Sequence, residues 1–272
     1  MGLAALAVLT LTASFADQLY ERGDYHLAAL EYSRLIYTRG DTLERSSEAL
    51  RLARCWQRLD ELERSLSLYS YLADRLPDGD DRAMAALGAG SVCAEIGFYG
   101  RSRAFYHQAA KSAVTEDLVF RGQLLGSLAL LYQERWEGSS AELRQVAADW
   151  PGERGRLAEE LAGMAESGSE LPYRSPLWCG LASTVLPGSG QLICGHTTDG
   201  LTALGMNAAA GALFYLSLDE DNTATSILLG WLSLSFYGGN IYGGVRAADY
   251  YNTAQRRHLY EDVRARLSGW EE

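Results

Sequence analysis

An all-α fold, a helical-hairpin solenoid followed by a small helical membrane hairpin or bundle, is predicted by three observations. Residue types recur in steps of 37, the composition changes sharply near residue 170, and the stretch beyond it holds long apolar runs almost free of charge. The repeat is clearest at the small residue in the middle of each unit: Ala28, Ser65, Ser102 and Ser139. Four residues later the steps give Tyr32, Tyr69, Tyr106 and Leu143, and seven later Leu35, Leu72, Ala109 and Val146, which together make one buried stripe of a helix. A second small set, Ala16, Ala53, Gly90 and Ser127, falls on each unit's preceding helix, where two helices can approach closely. The turns between them read Gly23-Asp24-Tyr25, Asp60-Glu61-Leu62, Gly97-Phe98-Tyr99 and Glu134-Arg135-Trp136. Pro77 and Pro151 stop the second helices of units two and four.

These residues resemble the tetratricopeptide (TPR) family. Gly23-Asp24-Tyr25 followed by Ala28, Tyr32 and Leu35-Ile36 matches that family's G-D-Y-x-x-A-x-x-x-Y-x-x-A pattern nearly position for position. The resemblance covers residues 9–151, with units longer than the usual ~34 residues. It implies a right-handed stack of helix pairs whose concave face binds peptides or partner proteins.

The N-terminal run MGLAALAVLTLTASFA, residues 1–16, has the length of an export signal and small residues at Ser14 and Ala16, the positions a signal peptidase reads. It is also readable as the first helix of unit one, because Ala16 occupies the repeat's small position. Export is the expectation, with the array beginning at residue 17. The net charge of −11 argues against nucleic acid, which needs a concentrated basic face. Cys55, Cys93, Cys179 and Cys194 show no metal-ligand spacing: Cys55 and Cys93, on the leading helices of neighbouring units, read as small buried hydrophobes or, outside the cytoplasm, as a disulfide, and Cys179 and Cys194 are expected to pack rather than to form a redox pair.

Residues 153–166 carry Leu157, Leu161 and Met164 against a charged face and are expected to cap the array, which thus runs from 17 to 166. Residues 167–176, SGSELPYRSP, read as a linker. Residues 177–245 are expected to form a helical membrane domain and 246–272 a polar C-terminal helix. Between Pro176 and Val245 the only charged side chains are Asp199, Asp219, Glu220 and Asp221. Three apolar stretches lie here: Pro176 to Ile193, interrupted at Pro187-Gly188-Ser189-Gly190, then Gly200 to Leu218, and Ala224 to Val245. The second is long enough for a bilayer core of roughly 30 Å. Arg246, Arg256, Arg257, Arg264 and Arg266 follow the third, so the C-terminus is expected on the cytoplasmic side and an exported array on the periplasmic side of a bacterial inner membrane.

Pro187, Gly188, Gly190, Gln191 and Gly195 with Asp199-Gly200-Leu201, and Gly239-Asn240-Ile241-Tyr242 further on, resemble the P-G-x-G-Q…D-G-L and G-N-I-Y patterns of poorly characterised bacterial membrane proteins that follow exported TPR arrays. Proline and glycine inside apolar sequence free backbone groups that lipid cannot satisfy. Gln191, Asn207 and Asn240 are the candidates to satisfy them. They read either as lining of a polar path, with His196, or as interhelical fasteners beside Gly238, Gly239, Gly243 and Gly244. On the array, Tyr25, Tyr32, Tyr69, Tyr99 and Tyr106 are expected to pack between helices. Arg51, Arg54 and Arg58 share one helix face and are the candidates to clamp an acidic or carboxylate-bearing partner.

No nucleophile–base motif, no H-E-x-x-H and no phosphate loop is present, so neither an enzyme nor a cofactor is expected. The expected function is a membrane-anchored TPR scaffold of the cell envelope, with protein or peptide and the lipid bilayer as partners. The alternative is a transport or membrane-insertion component whose membrane unit itself acts.

Overall fold

The computed structural model describes residues 15–39, 42–218 and 223–271, and all regular structure among them is helical. Two compact units divide at Ser169 and Glu170, inside the expected linker. In the first, residues 15–21 form α1, followed by α2 (Tyr25–Arg39), α3 (Ser46–Arg58), α4 (Leu62–Arg75), α5 (Asp80–Glu95), α6 (Tyr99–Ser112), α7 (Glu116–Leu131), α8 (Trp136–Asp149) and α9 (Glu153–Ser167). From α2 to α9 each helix packs on the next, and the leading helices α3, α5, α7 and α9 also touch one another in series. This succession is that of an all-α solenoid.

The periodic positions account for the packing. Ala28, Ser65, Ser102 and Ser139 are all fully buried, and so are Tyr32, Leu35, Leu72, Ala109 and Leu143, nearly or completely. The opposed small set is buried too, and its size is required: a Cβ on Gly90 would run into the Tyr106 ring, and one on Gly88 into the Tyr69 ring. Two of the serines fasten the crossing they permit. Ser65 Oγ donates to the Ala53 carbonyl at 2.8 Å and Ser139 Oγ to the Ser127 carbonyl at 2.9 Å, the same bond one double period apart. The Tyr32 hydroxyl donates to Asp17 Oδ1 at 2.6 Å, and Asp17 also pairs with Arg51, so one cluster ties α1, α2 and α3. Burial, and then the Asp17 carboxylate, push the Tyr32 hydroxyl well above its ordinary pKa. Residues 1–14, the body of the expected export signal, lie outside the described residues. Ala16, its last residue, is fully buried in a cluster with Ala28, Tyr32, Leu35 and Leu52.

The turns within units repeat in backbone geometry. Gly23, Asp60, Gly97 and Glu134 all have φ between 60° and 82°. The amide after each reaches back to the helix it leaves: Asp24 to Leu19, Glu61 to Trp56, Phe98 to Cys93 and Arg135 to Leu130, at 2.7–3.0 Å. That bond supplies a partner to a carbonyl the helix end would leave without one. Asp60 and Glu134 adopt the left-handed region despite their Cβ atoms.

Asp80, the first residue of α5, reaches the α6–α7 connection: its Oδ1 accepts from the Val114 and Thr115 amides, each at 2.9 Å, and its other oxygen from the Thr115 hydroxyl. The array closes on α9, whose Leu157, Ala158, Leu161, Ala162 and Ala165 are buried, with Met164 half-buried.

The second unit comprises α10 (Pro176–Val185), α11 (Ser189–Ile193), α12 (Thr197–Ser217) and α13 (Thr223–Glu271). Ser175 caps α10 and Pro176 is its first residue, so the expected linker ends one residue early. The interruption expected at Pro187-Gly188-Ser189-Gly190 divides residues 177–193 between two short helices, with Gly188 left-handed. One further expectation is corrected. Residues 246–272 are not a separate helix, because α13 runs on for 49 residues through Val245.

The expected transmembrane hairpin is not supported: among the described residues no helix is long and apolar enough to cross a membrane. Asn207 with Gly205, Gly211 and three consecutive alanines dilutes α12. Ser226, Ser233, Ser235 and Asn240 with Gly230, Gly238 and Gly239 do the same to α13. Residues 219–222, the expected acidic turn, lie outside the described residues.

Replacing Glu134 or Asp60 by glycine is expected to raise stability by about 0.5–1 kcal/mol, the left-handed penalty outweighing glycine's chain entropy. Thermal denaturation of the full chain measures it, with the larger gain at Glu134 because aspartate tolerates this region better. The amides and hydroxyl around Asp80 hold its carboxyl below its ordinary value. A lowered folded pKa contributes stability above the unfolded value that is lost as pH falls through the folded one. Asp80→Asn is therefore expected to flatten the acid limb of a stability–pH profile below about pH 4 while sparing neutral pH less than fully, because the amide still lacks one acceptor.

Candidate functional site

On the array, the three candidate arginines do not act as a set. Arg51 is engaged with Asp17, while Arg54 and Arg58 project from α3 into solvent. The face open to a carboxylate partner is thus reduced to Arg54 and Arg58. Tyr32, Tyr69 and Tyr106 are buried packing residues, and Tyr25 and Tyr99 are half-buried.

In the second unit the polar residues converge on the break between α10 and α11. Gly188 turns the chain in a left-handed conformation, and a Cβ there would overlap the Gly200 carbonyl of α12. The break frees the Gly188 amide, which donates to Asn240 Oδ1 at 2.7 Å. Asn240 Nδ2 in turn donates to the Ser183 carbonyl at 2.8 Å. One carboxamide of α13 therefore bridges the last turn of α10 to the first residues of α11. Gln191 completes the clasp, with Nε2 donating to the Asn240 carbonyl at 3.2 Å and Oε1 accepting from Ser183 Oγ at 3.2 Å. Ser183 Oγ also accepts from the Gly190 amide at 3.0 Å. Asn240, Gln191 and Ser183 are all buried.

The glycines around this clasp are a matter of space. A Cβ on Gly190 would overlap the Cys179 carbonyl, and one on Gly244 would meet Ser183 Oγ and the same carbonyl. Gly243 lies against Gln191 Nε2. Gly238 and Gly239, expected to share this role, face open space. Gly195 supplies a left-handed turn into α12 and His196 precedes that helix, with Nδ1 3.5 Å from Asp199.

Asn207 does not join the clasp. Its amide bonds the Ala203 carbonyl of its own helix at 2.8 Å, and it lines an open cavity of about 320 Å³ with Pro187, Leu204, Ser233, Leu234 and Tyr237. Tyr242 is exposed, whereas Tyr237, which the sequence did not single out, donates from its hydroxyl to the Thr184 carbonyl at 2.7 Å. Ser183 was equally unmarked: a lone serine in an apolar run carries no spacing signal.

A second polar tie uses Asn252 of α13, whose amide accepts from the Arg174 N–H and donates to the Arg174 carbonyl, both at 2.8 Å. Arg174 lies over the Tyr251 ring, 5.4 Å from its centroid. Among the described residues no group of three or more His, Cys, Asp or Glu side chains is placed to hold a metal ion.

Compared with known proteins, the chain matches no family model, no curated protein and no solved structure.

Asn240→Leu is expected to strand the buried Gly188 amide and Ser183 carbonyl, at about 1–3 kcal/mol each. Equilibrium unfolding monitored at the second unit measures that loss. Asn207→Leu, which strands nothing, is expected to leave the same transition within about 0.5 kcal/mol.

Proposed function

We propose that this protein is a non-enzymatic scaffold of the bacterial cell envelope, in which a TPR-like array holds a protein or peptide partner and the second unit is seated against lipid. The observation that carries the reading is the uncovered apolar surface of the second unit. Val185 is 88% exposed, Trp231 70%, Trp178 69% and Leu228 68%, and Leu181, Leu201, Leu213, Leu216, Ile227 and Leu234 add to them. Soluble monomers rarely leave so much large apolar side chain in water, and a continuous band of it marks a protein or membrane contact. Trp178, Trp231, Tyr215 and Tyr242 within that surface suit the boundary between lipid and water.

The reading asks for lipid contact and not for crossing by any single helix. The apolar run of residues 1–16 supports placing the array outside the cytoplasm. The repeated helix pairs support the partner-binding half, because a stack of leading helices offers one continuous wall to an extended ligand.

Fractionation of cells followed by alkaline carbonate washing tests the lipid contact. The full chain is expected to stay in the membrane pellet, and quantitative release would overturn it. A photocrosslinking residue at Arg54 or Arg58 is expected to capture a protein partner. Capture confined to positions on α12 and α13 would move partner binding to the second unit.

The cavity beside Asn207 favours one second reading, a membrane unit that itself handles a substrate. Asn207 is the informative position for it, because it lines the cavity without holding the fold. Loss of cellular function in a stably accumulated Asn207→Leu chain would favour that reading over the scaffold.

A further inference from the structure

The sulfur atoms of Cys179 and Cys194 lie 3.5 Å apart, both in the interior of the second unit and 2% and 5% exposed. They come from different places: Cys179 from the middle of α10, Cys194 from the residue that ends α11. Ala247, Ala248 and Tyr251 of α13 pack around them. An S–S bond is about 2.05 Å long. The two facing sulfurs are therefore already close, with only the short gap between contact and bond to close.

What such a bond would enclose gives it a consequence. Ser183, Gly188, Gly190 and Gln191, every α10 and α11 group in the clasp on Asn240, lie between Cys179 and Cys194. A covalent tie there would close the broken-helix elbow at its two ends, while α13 holds it in the middle. We propose that Cys179 and Cys194 form an intramolecular disulfide when the protein is exposed to a disulfide oxidant, locking the α10–α11 elbow around Asn240.

The chemistry is thiol–disulfide exchange. One cysteine thiolate attacks a sulfur of the oxidant's disulfide, forming a mixed disulfide and releasing one reduced thiol. The second cysteine thiolate attacks the protein sulfur of that mixed disulfide, forming the Cys179–Cys194 bond and releasing the second reduced thiol. Two protein thiols are oxidised, one oxidant disulfide is reduced, and the two protons leave on the released thiols.

Burial, and then the facing Cys179, push the Cys194 thiol well above its ordinary value, which disfavours the thiolate in the closed fold. Exchange therefore proceeds through openings of the elbow, and the bond, once made, suppresses those openings. Cys55 and Cys93 are buried separately on α3 and α5 and serve as internal controls.

The experiment equilibrates the full purified chain with reduced and oxidised glutathione at a series of ratios, under mild urea that speeds elbow opening. The mixture is then quenched, alkylated under denaturing conditions and digested for mass spectrometry. The expected result is a linked peptide pair containing Cys179 and Cys194, at glutathione ratios where Cys55 and Cys93 are still alkylated. The linked form is expected to exchange the Gly188 and Gly190 amide hydrogens more slowly, on the order of tenfold or more. Cys179→Ser and Cys194→Ser are each expected to abolish the link and leave the other cysteine as a glutathione adduct. Finding Cys179 and Cys194 only alkylated or separately glutathionylated at every ratio overturns the proposal, as does pairing of either with Cys55 or Cys93. An unchanged exchange rate in a chain that does form the link overturns the lock.

Discussion

Backbone groups left over at the end of a helix need partners, and this chain supplies them by two means. At the turns within each unit of the array the solution is made of backbone. The amides of Asp24, Glu61, Phe98 and Arg135 each reach back five residues, which requires one left-handed residue per turn. With that turn repeated, the small residues of both helices are buried in each unit, and the Ser65 and Ser139 hydroxyls bond carbonyls twelve residues earlier. The turn from α11 into α12 repeats that geometry, with Gly195 left-handed and the His196 amide reaching back to Gln191 at 2.9 Å, whereas at the α10–α11 break, where Pro187 has no amide to donate, the carboxamide of Asn240 supplies the partners from another helix.

The same contrast explains what could be read from the sequence. The buried stripe was legible because burial imposes residue size, and size recurs visibly at Ala28, Ser65, Ser102 and Ser139. The turns were located by the same count, yet their conformation showed only at Gly23 and Gly97. Asp60 and Glu134 take the left-handed region without the residue that advertises it. Gln191 and Asn240 stood out as amides in apolar sequence, but which groups they would satisfy depended on the path of the chain. Asn207 had the same local signature and turned out to bond its own helix. Ser183 sits one helical turn from Cys179 and carries no pattern at all. The boundary expected at Val245 followed a change of composition, and composition reports surroundings. The helix itself has no proline there, and at Gly243 and Gly244 a Cβ would run into Gln191 and Ser183.

Surface chemistry separates the two units more clearly than their turns do. The array exposes charge, much of it arranged in short-range pairs such as Arg103–Glu142 and Arg154–Asp117 that bridge neighbouring units. Exposed pairs of this kind contribute little to stability individually, but they keep the outside of a repeat stack polar so that it remains separate from its own copies. The second unit hides its amides and exposes its leucines, isoleucines and tryptophans. That inversion is costly in water and favourable where the surroundings are apolar.

An apolar environment also raises the stakes for the clasp. In water an opened elbow would be solvated at once, so the Gly188 amide and the Ser183 carbonyl would lose one partner and gain another. Against lipid the same opening leaves both without a partner, at several kcal/mol for each group. A helix break inside apolar sequence is therefore tolerable only where a neighbouring helix brings donors and acceptors to it. Asn240 meets that requirement with a single side chain that both donates and accepts, while Gln191 and Ser183 close the remaining bonds. On this argument the proline, the two glycines and the two amides form one unit of structure. The break lets α11 turn back against α13, the glycines let it approach, and the amides make the approach cost little. Removing any one of them exposes the cost that the others were placed to offset.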